Sequence, residues 1–214
     1  MQSTQFDRIL RRLATILAVA IVTLCLIYIT TGILLSFYYE PTAGGAYRSL
    51  KTINTQIPYG WLFRRTHDLA GNAVIVVALI QIVVMFLGRQ FSKSWLAAWI
   101  SGILFTLSAI ALDWTAMLLD WTQEGYWRFS IELGTIEAIP FIGGQLRDIL
   151  TGGGAINTIT VEHLYTINSY IISVIAIVLA VVHLSALIWQ EQQMYAEAAT
   201  DAQIQLSDAS LVNN

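Results

Sequence analysis

The sequence predicts an all-α integral membrane protein with four membrane-crossing helices and a surface helical hairpin between the third and the fourth. Three observations carry this. Hydrophobic residues make up 56% and charged residues 12% of the 214 positions, whereas charged residues are about a quarter of a soluble domain. Four stretches carry no formal charge, Leu13 to Tyr39, Leu69 to Gly88, Ser94 to Leu112 and His163 to Gln190, and each reaches or approaches the ~20 residues a helix needs to cross a bilayer. Trp61, Trp95, Trp99, Trp114, Trp121, Tyr126 and Trp127 gather near the ends of these stretches, where aromatic belts form at the membrane–water boundary.

Residues 1–12 read as a basic amphipathic lead-in at the membrane surface, with Phe6, Ile9 and Leu10 beside Arg8, Arg11 and Arg12. The first span, 13–39, begins too far into the chain and runs too long to be a removable signal peptide. Glu40 to Arg65, with Pro41, Gly44, Gly45 and Pro58, reads as a loop of moderate length. A tight connection from Arg89 to Lys93 makes spans two (67–88) and three (94–119) antiparallel neighbours. The next forty or so residues are too many for a passive connector, and they are expected to form two surface helices, 124–133 and 140–150, the second opened by Pro140. Gly152, Gly153 and Gly154 interrupt the chain before the fourth span, 164–190. The tail, 191–214, has four acids and neither lysine nor arginine, and is expected to fray into disorder.

A net charge of −3, with the acids concentrated in the long loop and the tail, argues against nucleic acid as a partner. Cys25 is the one cysteine, inside the first span, so an intrachain disulfide is excluded. Four spans put both termini on one side. Weighting basic residues in the short segments places them on the cytoplasmic or stromal side.

Inside the apolar spans, Gln81 stands fourteen residues after His67, and His183 fifteen after Asn168. Each pair falls near one helix face, roughly 21 to 23 Å apart along the axis. Two such helices facing each other set His67 level with Asn168 and Gln81 level with His183. That is the geometry of two stacked haem sites, each with one histidine. The competing reading is interhelical hydrogen bonding of His67 to Asn168 and of His183 to Gln81, although helices spaced to hold a porphyrin stand too far apart for it. Cys25 reads as packing and His163, rotated away from Asn168, as an interfacial histidine.

Phe37-Tyr38-Tyr39-Glu40-Pro41-Thr42, then Tyr59-Gly60-Trp61-Leu62-Phe63-Arg64 leading to His67, then Trp121-Thr122-Gln123-Glu124-Gly125-Tyr126-Trp127 and Ile139-Pro140-Phe141-Ile142-Gly143 together resemble cytochrome b6, the four-helix N-terminal half of the cytochrome b fold. The resemblance runs along nearly the whole chain except the acidic tail. It implies a haem-binding-type bundle with up to two b haems, each iron held by one residue from the second span and one from the fourth. Carried over position by position, the ligand places are His67, Gln81, Asn168 and His183, so two of the four imidazoles are replaced by amides.

Gly32 and Gly102 match family glycines that let the porphyrin approach the backbone, while Ala18 and Ala116 stand where the family has the other two. Arg64 matches an arginine near the haem propionates, but Asp68 stands where the family usually has another. Asp113 is a candidate to pair with Arg64 or Arg65, to serve a proton path, or simply to reach the nearby interface. Ile16 replaces the cysteine that holds an extra haem, so no covalent haem is expected, and Asp120-Trp121-Thr122-Gln123 departs from the family's Pro-Trp-Asp-Gln beside its quinol site. The resemblance thus implies a b-type cytochrome-like subunit of a quinol- or plastoquinol-linked electron-transfer complex in a thylakoid or bacterial inner membrane. Its partners are lipid, other membrane subunits and a quinone as candidate, and His67 and His183 are its iron ligands. At most it is an electron-transfer subunit, not an independent quinol oxidoreductase. Two alternatives stand beside it: a haem-free structural or assembly subunit, and a five-coordinate haem sensor or small-ligand binder.

Overall fold

Four runs of the computed structural model are long and apolar enough to cross a membrane: α1 (Gln5–Ser36), α3 (Gly60–Leu87), α4 (Leu96–Ala116) and the continuous helical run Thr158–Ile204. The last of these is built from α7 (Thr158–Thr166), a π-helical segment (Ile167–Ile172) and α8 (Ser173–Val212). Three shorter helices complete the chain, α2 (Gly45–Thr55), α5 (Gln123–Glu137) and α6 (Gly143–Thr151). The structure describes residues 5–91 and 95–212, with side chains for all of these except 201 and 205–212, and the described residues contain no strand.

The spans sort their residues as helices in lipid should. On α8, Val174, Val178 and Val182 recur every four residues and are exposed, a lipid-facing stripe, whereas Ala176, Ala180, His183 and Leu187 recur at steps of four and three and are buried. On α3 the buried row is Ala70, Val74, Ala78 and Gln81. Small residues dominate these inner faces because van der Waals contact between close backbones, rather than hydrophobic burial, joins helices inside a membrane.

Two compact units make up the chain. One, formed by Met1–Val22, Val77–Phe105 and Leu179–Asn214, packs around Leu10, Ala14, Ala18, Val84, Met85, Trp95, Ala98 and Leu187. In it, the Arg11 guanidinium lies 5.1 Å from the Trp95 ring centroid and its Nε donates to the Gly88 carbonyl at 3.3 Å. That carbonyl belongs to the residue just after α3, where the chain reverses through Arg89 at φ 53°. The other unit, Thr23–Val76 with Thr106–Val178, holds the hairpin and a core of Ala46, Leu118, Phe129, Leu133, Val161 and Leu164. Its short helices are well delimited. Thr122 caps α5 by accepting from Gly125 N at 3.1 Å, Gly152 ends α6 in the left-handed region, and Asn157 and Thr160 form a reciprocal capping box at α7. The Trp114 indole donates to the Glu132 carboxylate, and Tyr39 donates to the Leu119 carbonyl at 2.8 Å.

Several expectations need correction. The stretch read as a loop from Glu40 to Arg65 contains α2, because Ala46, Leu50 and Ile53 fall on one face and are buried there. Pro140 does not open the second surface helix; it lies in the turn before α6, which begins at Gly143. The tail, read as a frayed helix followed by disorder, continues α8 to Val212, and its alanine, glutamine and glutamate residues are strong helix formers; residues 213–214 lie outside the described residues. Residues 5–12 of the surface lead-in continue directly into α1, and residues 1–4, like Lys93 in the connection between spans two and three, lie outside the described residues.

The fourth span also resolves a matter of phase. A fourteen-residue step leaves two side chains about 40° apart around an α-helix, and fifteen leaves them about 60° apart in the opposite sense. The π segment Ile167–Ile172 adds one residue to a turn, so the fifteen-residue interval from Asn168 to His183 takes the phase of a fourteen-residue α interval. Its signature is the wider ring, in which Ser173 N bonds the carbonyl of Asn168, and the Ser173 hydroxyl donates to the same oxygen at 2.7 Å.

Phe129 is fully buried at the centre of the hairpin core. Its replacement by alanine is expected to lower stability by about 3 to 5 kcal/mol, read as a fall in the thermal unfolding midpoint of the detergent-solubilised protein.

Candidate functional site

The four positions singled out by spacing share one device: each side chain donates an N–H to a backbone carbonyl of a neighbouring span. In the unit containing the hairpin, His67 Nδ1 lies 2.9 Å from the Tyr28 carbonyl and 3.1 Å from the Thr31 hydroxyl. Asn168 Nδ2 donates to the Leu112 carbonyl at 2.6 Å and to Thr115 Oγ1 at 2.7 Å. In the other unit, His183 Nδ1 lies 3.0 Å from the Ala98 carbonyl and 3.1 Å from the Ser101 hydroxyl, and Gln81 Nε2 donates to the Ala14 carbonyl at 2.8 Å.

The acceptors follow the sequence with a fixed register. Ala14 and Tyr28 on α1, and Ala98 and Leu112 on α4, are fourteen residues apart in each case. Four residues beyond each acceptor stands a small residue, Ala18, Gly32, Gly102 and Ala116; three residues beyond stand Leu17, Thr31, Ser101 and Thr115. A glycine is needed where an imidazole sits. A Cβ on Gly32 would lie 2.9 Å from His67 Cε1, and one on Gly102 would lie 2.8 Å from His183 Cε1. The glycines thus seat the histidine rings themselves, a role the sequence reading had given to a porphyrin face.

These bonds fix the imidazole tautomers. A carbonyl oxygen only accepts, so Nδ1 of both histidines carries the proton and Nε2 keeps its lone pair, the arrangement that readies a histidine for a metal. His183 is 1% exposed, and its Nε2 is buried with no hydrogen-bond partner among the described residues. Buried polar atoms are almost always satisfied; a basic nitrogen left this way in an apolar helix bundle fits an iron ligand. His67 is half-buried, with the Tyr28 ring stacked on it at 4.0 Å and 14°. Tyr28 is held in turn against Gly71, one helical turn beyond His67. Neither histidine is capped by the amide at its own level, which removes the hydrogen-bonded pairs considered from sequence.

Arg64 does not pair with Asp113. Its Nη2 donates to Asp120 Oδ2 at 3.0 Å, so the charge expected near propionates already has a carboxylate partner. Asp113 and Asp68 instead place their charges near Tyr28. His163, read as interfacial, ties α7 to α6 through Nδ1 and the Ile149 carbonyl at 2.9 Å. Sequence reasoning missed Tyr28, Thr31, Ser101 and Thr115; the fourteen-residue spacing of the hydroxyls at 101 and 115 was the available signal. Among the described residues, no cluster of three or more histidine, cysteine or acidic side chains is placed to hold a separate metal ion.

Gly32→Ala and Gly102→Ala each push a methyl into an imidazole and are expected to cost about 1 to 3 kcal/mol, measured as a lower unfolding midpoint. Gly134→Ala, where an added Cβ meets nothing, serves as the control and leaves the midpoint unchanged or slightly higher.

Comparison with known proteins agrees with this architecture. The family described as Cytochrome b/b6/petB matches residues 9–191. Cytochrome b6 of Auxenochlorella protothecoides is 30% identical over 161 residues, 75% of each chain, and that of Cyanidium caldarium is 29% identical over 161 residues, again 75% of each. A chain of a structure titled Hyperthermophilic respiratory Complex III superposes with a TM-score of 0.68 at 25% identity, covering 82% of this chain and 47% of that one. The present chain therefore spans about half the length of that solved relative. With the family model covering most of its length and four apolar spans in the fold, the chain belongs to the cytochrome b/b6 family of integral membrane, electron-transferring b-type subunits.

Proposed function

We propose that the chain is a b-type cytochrome subunit of a quinol-linked membrane complex, holding up to two b haems with one imidazole on each iron, His67 in one unit and His183 in the other. The observation that carries this reading is His183 Nε2, buried and without a hydrogen-bond partner among the described residues while Nδ1 is anchored to Ala98 and Ser101. Bound haem supplies a one-electron couple. The chain's own residues orient the imidazoles through Tyr28, Thr31, Ala98 and Ser101, exclude water with apolar neighbours, and seat the rings on Gly32 and Gly102. Gln81 and Asn168 act as hydrogen-bonding residues, because their nitrogens are committed to carbonyls and an amide oxygen is a poor ligand for iron. Arg64, neutralised by Asp120, contributes little charge to a propionate. The membrane is a thylakoid or bacterial inner membrane with both termini on the cytoplasmic or stromal side, and other membrane subunits and a quinone are the partners.

A haem-free scaffold or assembly subunit is the second reading, and one unit favours it. There Tyr28 lies flat against His67 and Arg64 is spent on Asp120.

The test is haem content and absorption of the purified protein reconstituted in detergent. His67→Ala and His183→Ala are each expected to remove about half of the bound haem, with the remaining site spectrally intact. Equal content in wild type and both variants overturns the ligand assignment. A protein with no Soret band overturns haem binding altogether and leaves the scaffold reading standing.

A further inference from the structure

We propose that the amide at each site marks an axial position open to a small exogenous ligand, and that the two positions differ in chemistry: Gln81 offers an N–H to a ligand that accepts a hydrogen bond, and Asn168 offers none. This rests on the one-imidazole haem reading and names the ligand class of those sites. An axial histidine does two things at once, donating from Nδ1 to a helix carbonyl and binding iron through Nε2. Gln81 and Asn168 reproduce the first act on the matching carbonyls, Ala14 and Leu112. Neither has a second basic nitrogen for the other act.

Hydrogen accounting separates the two. An amide nitrogen carries two hydrogens and a threonine hydroxyl one. Asn168 sends both hydrogens to α4, one to Leu112 O at 2.6 Å and one to Thr115 Oγ1 at 2.7 Å. Thr115 can accept because its own proton is directed back to Ala111 O at 2.8 Å. At Gln81 the register supplies only half of this arrangement. Ala14 O takes one hydrogen at 2.8 Å, but the residue three positions beyond is Leu17, a partly buried aliphatic side chain packed on the Ala14, Ala18 and Met85 cluster. Gln81 as a whole is 2% exposed, so its second amide hydrogen is buried, where a donor gains most from a partner. A diatomic or small linear anion bound opposite His183 supplies that partner; opposite His67, the same ligand meets an amide whose donors are already engaged.

Carbon monoxide on the ferrous protein and cyanide on the ferric protein are the probes, applied to the full chain in detergent. Two carbon monoxide stretching bands are expected, the lower one lost in His183→Ala, because donation to the bound oxygen weakens that bond. Leu17→Thr places a hydroxyl where Thr115 stands in the companion site; it is expected to raise the lower band and weaken cyanide at that iron about tenfold. Thr115→Val releases one Asn168 hydrogen and is expected to lower the other band. A single band that ignores both substitutions overturns the proposal. A protein that takes up haem but stays low-spin and refuses carbon monoxide also overturns it, while leaving haem binding by His67 and His183 standing. Absence of a Soret band sinks the haem reading itself.

Discussion

A side-chain N–H bonded to the carbonyl of a neighbouring helix is the interaction on which this molecule depends. Every helical carbonyl already accepts from its own ladder, yet its second lone pair can take another donor. Inside a bilayer such a bond has no water to compete with it, and an unpaired polar group there costs several kcal/mol. The chain uses the device four times, from His67, Gln81, Asn168 and His183 to Tyr28, Ala14, Leu112 and Ala98. It also gives Gln81 and Asn168 a structural role: leucine or alanine at either position would drop a helix–helix bond.

The two units apply the same rule to different surroundings. His183 meets Ala98, Ser101 and Gly102, and its ring is sealed from solvent. Around His67 an aromatic ring covers the imidazole, Asp68 and Asp113 lie within electrostatic reach of Tyr28, and Asp120 is paired with Arg64. Two sites of similar geometry therefore differ in electrostatic environment.

Much of the architecture was legible in the sequence because lipid imposes long, charge-free runs that nothing else in a protein imitates; Leu13 to Tyr39 reads as a span on inspection. The four positions 67, 81, 168 and 183 drew notice for a related reason, since a histidine or amide in such a run is conspicuous. What escaped was whatever depended on backbone detail. Ala46, Leu50 and Ile53 form a helical face between prolines and glycines that read as a loop. The carbonyl acceptors carry no signature of their own because every residue has one. Arg64 chose Asp120 over Asp113 because the chain reverses direction after α4, and linear spacing does not convey that geometry. The hydroxyls at Thr31, Ser101 and Thr115 obey a register that becomes visible only once the acceptors are known.

The π turn at Ile167–Ile172 carries a consequence for how the last span can move. It stores one residue of slack beside Asn168, held by the bifurcated grip of Ser173 on a single carbonyl. Moving that extra residue along the helix would reorient the side chains it passes while leaving both helix ends in place. The phase of the fourth span is thus set by a single surplus residue beside Asn168.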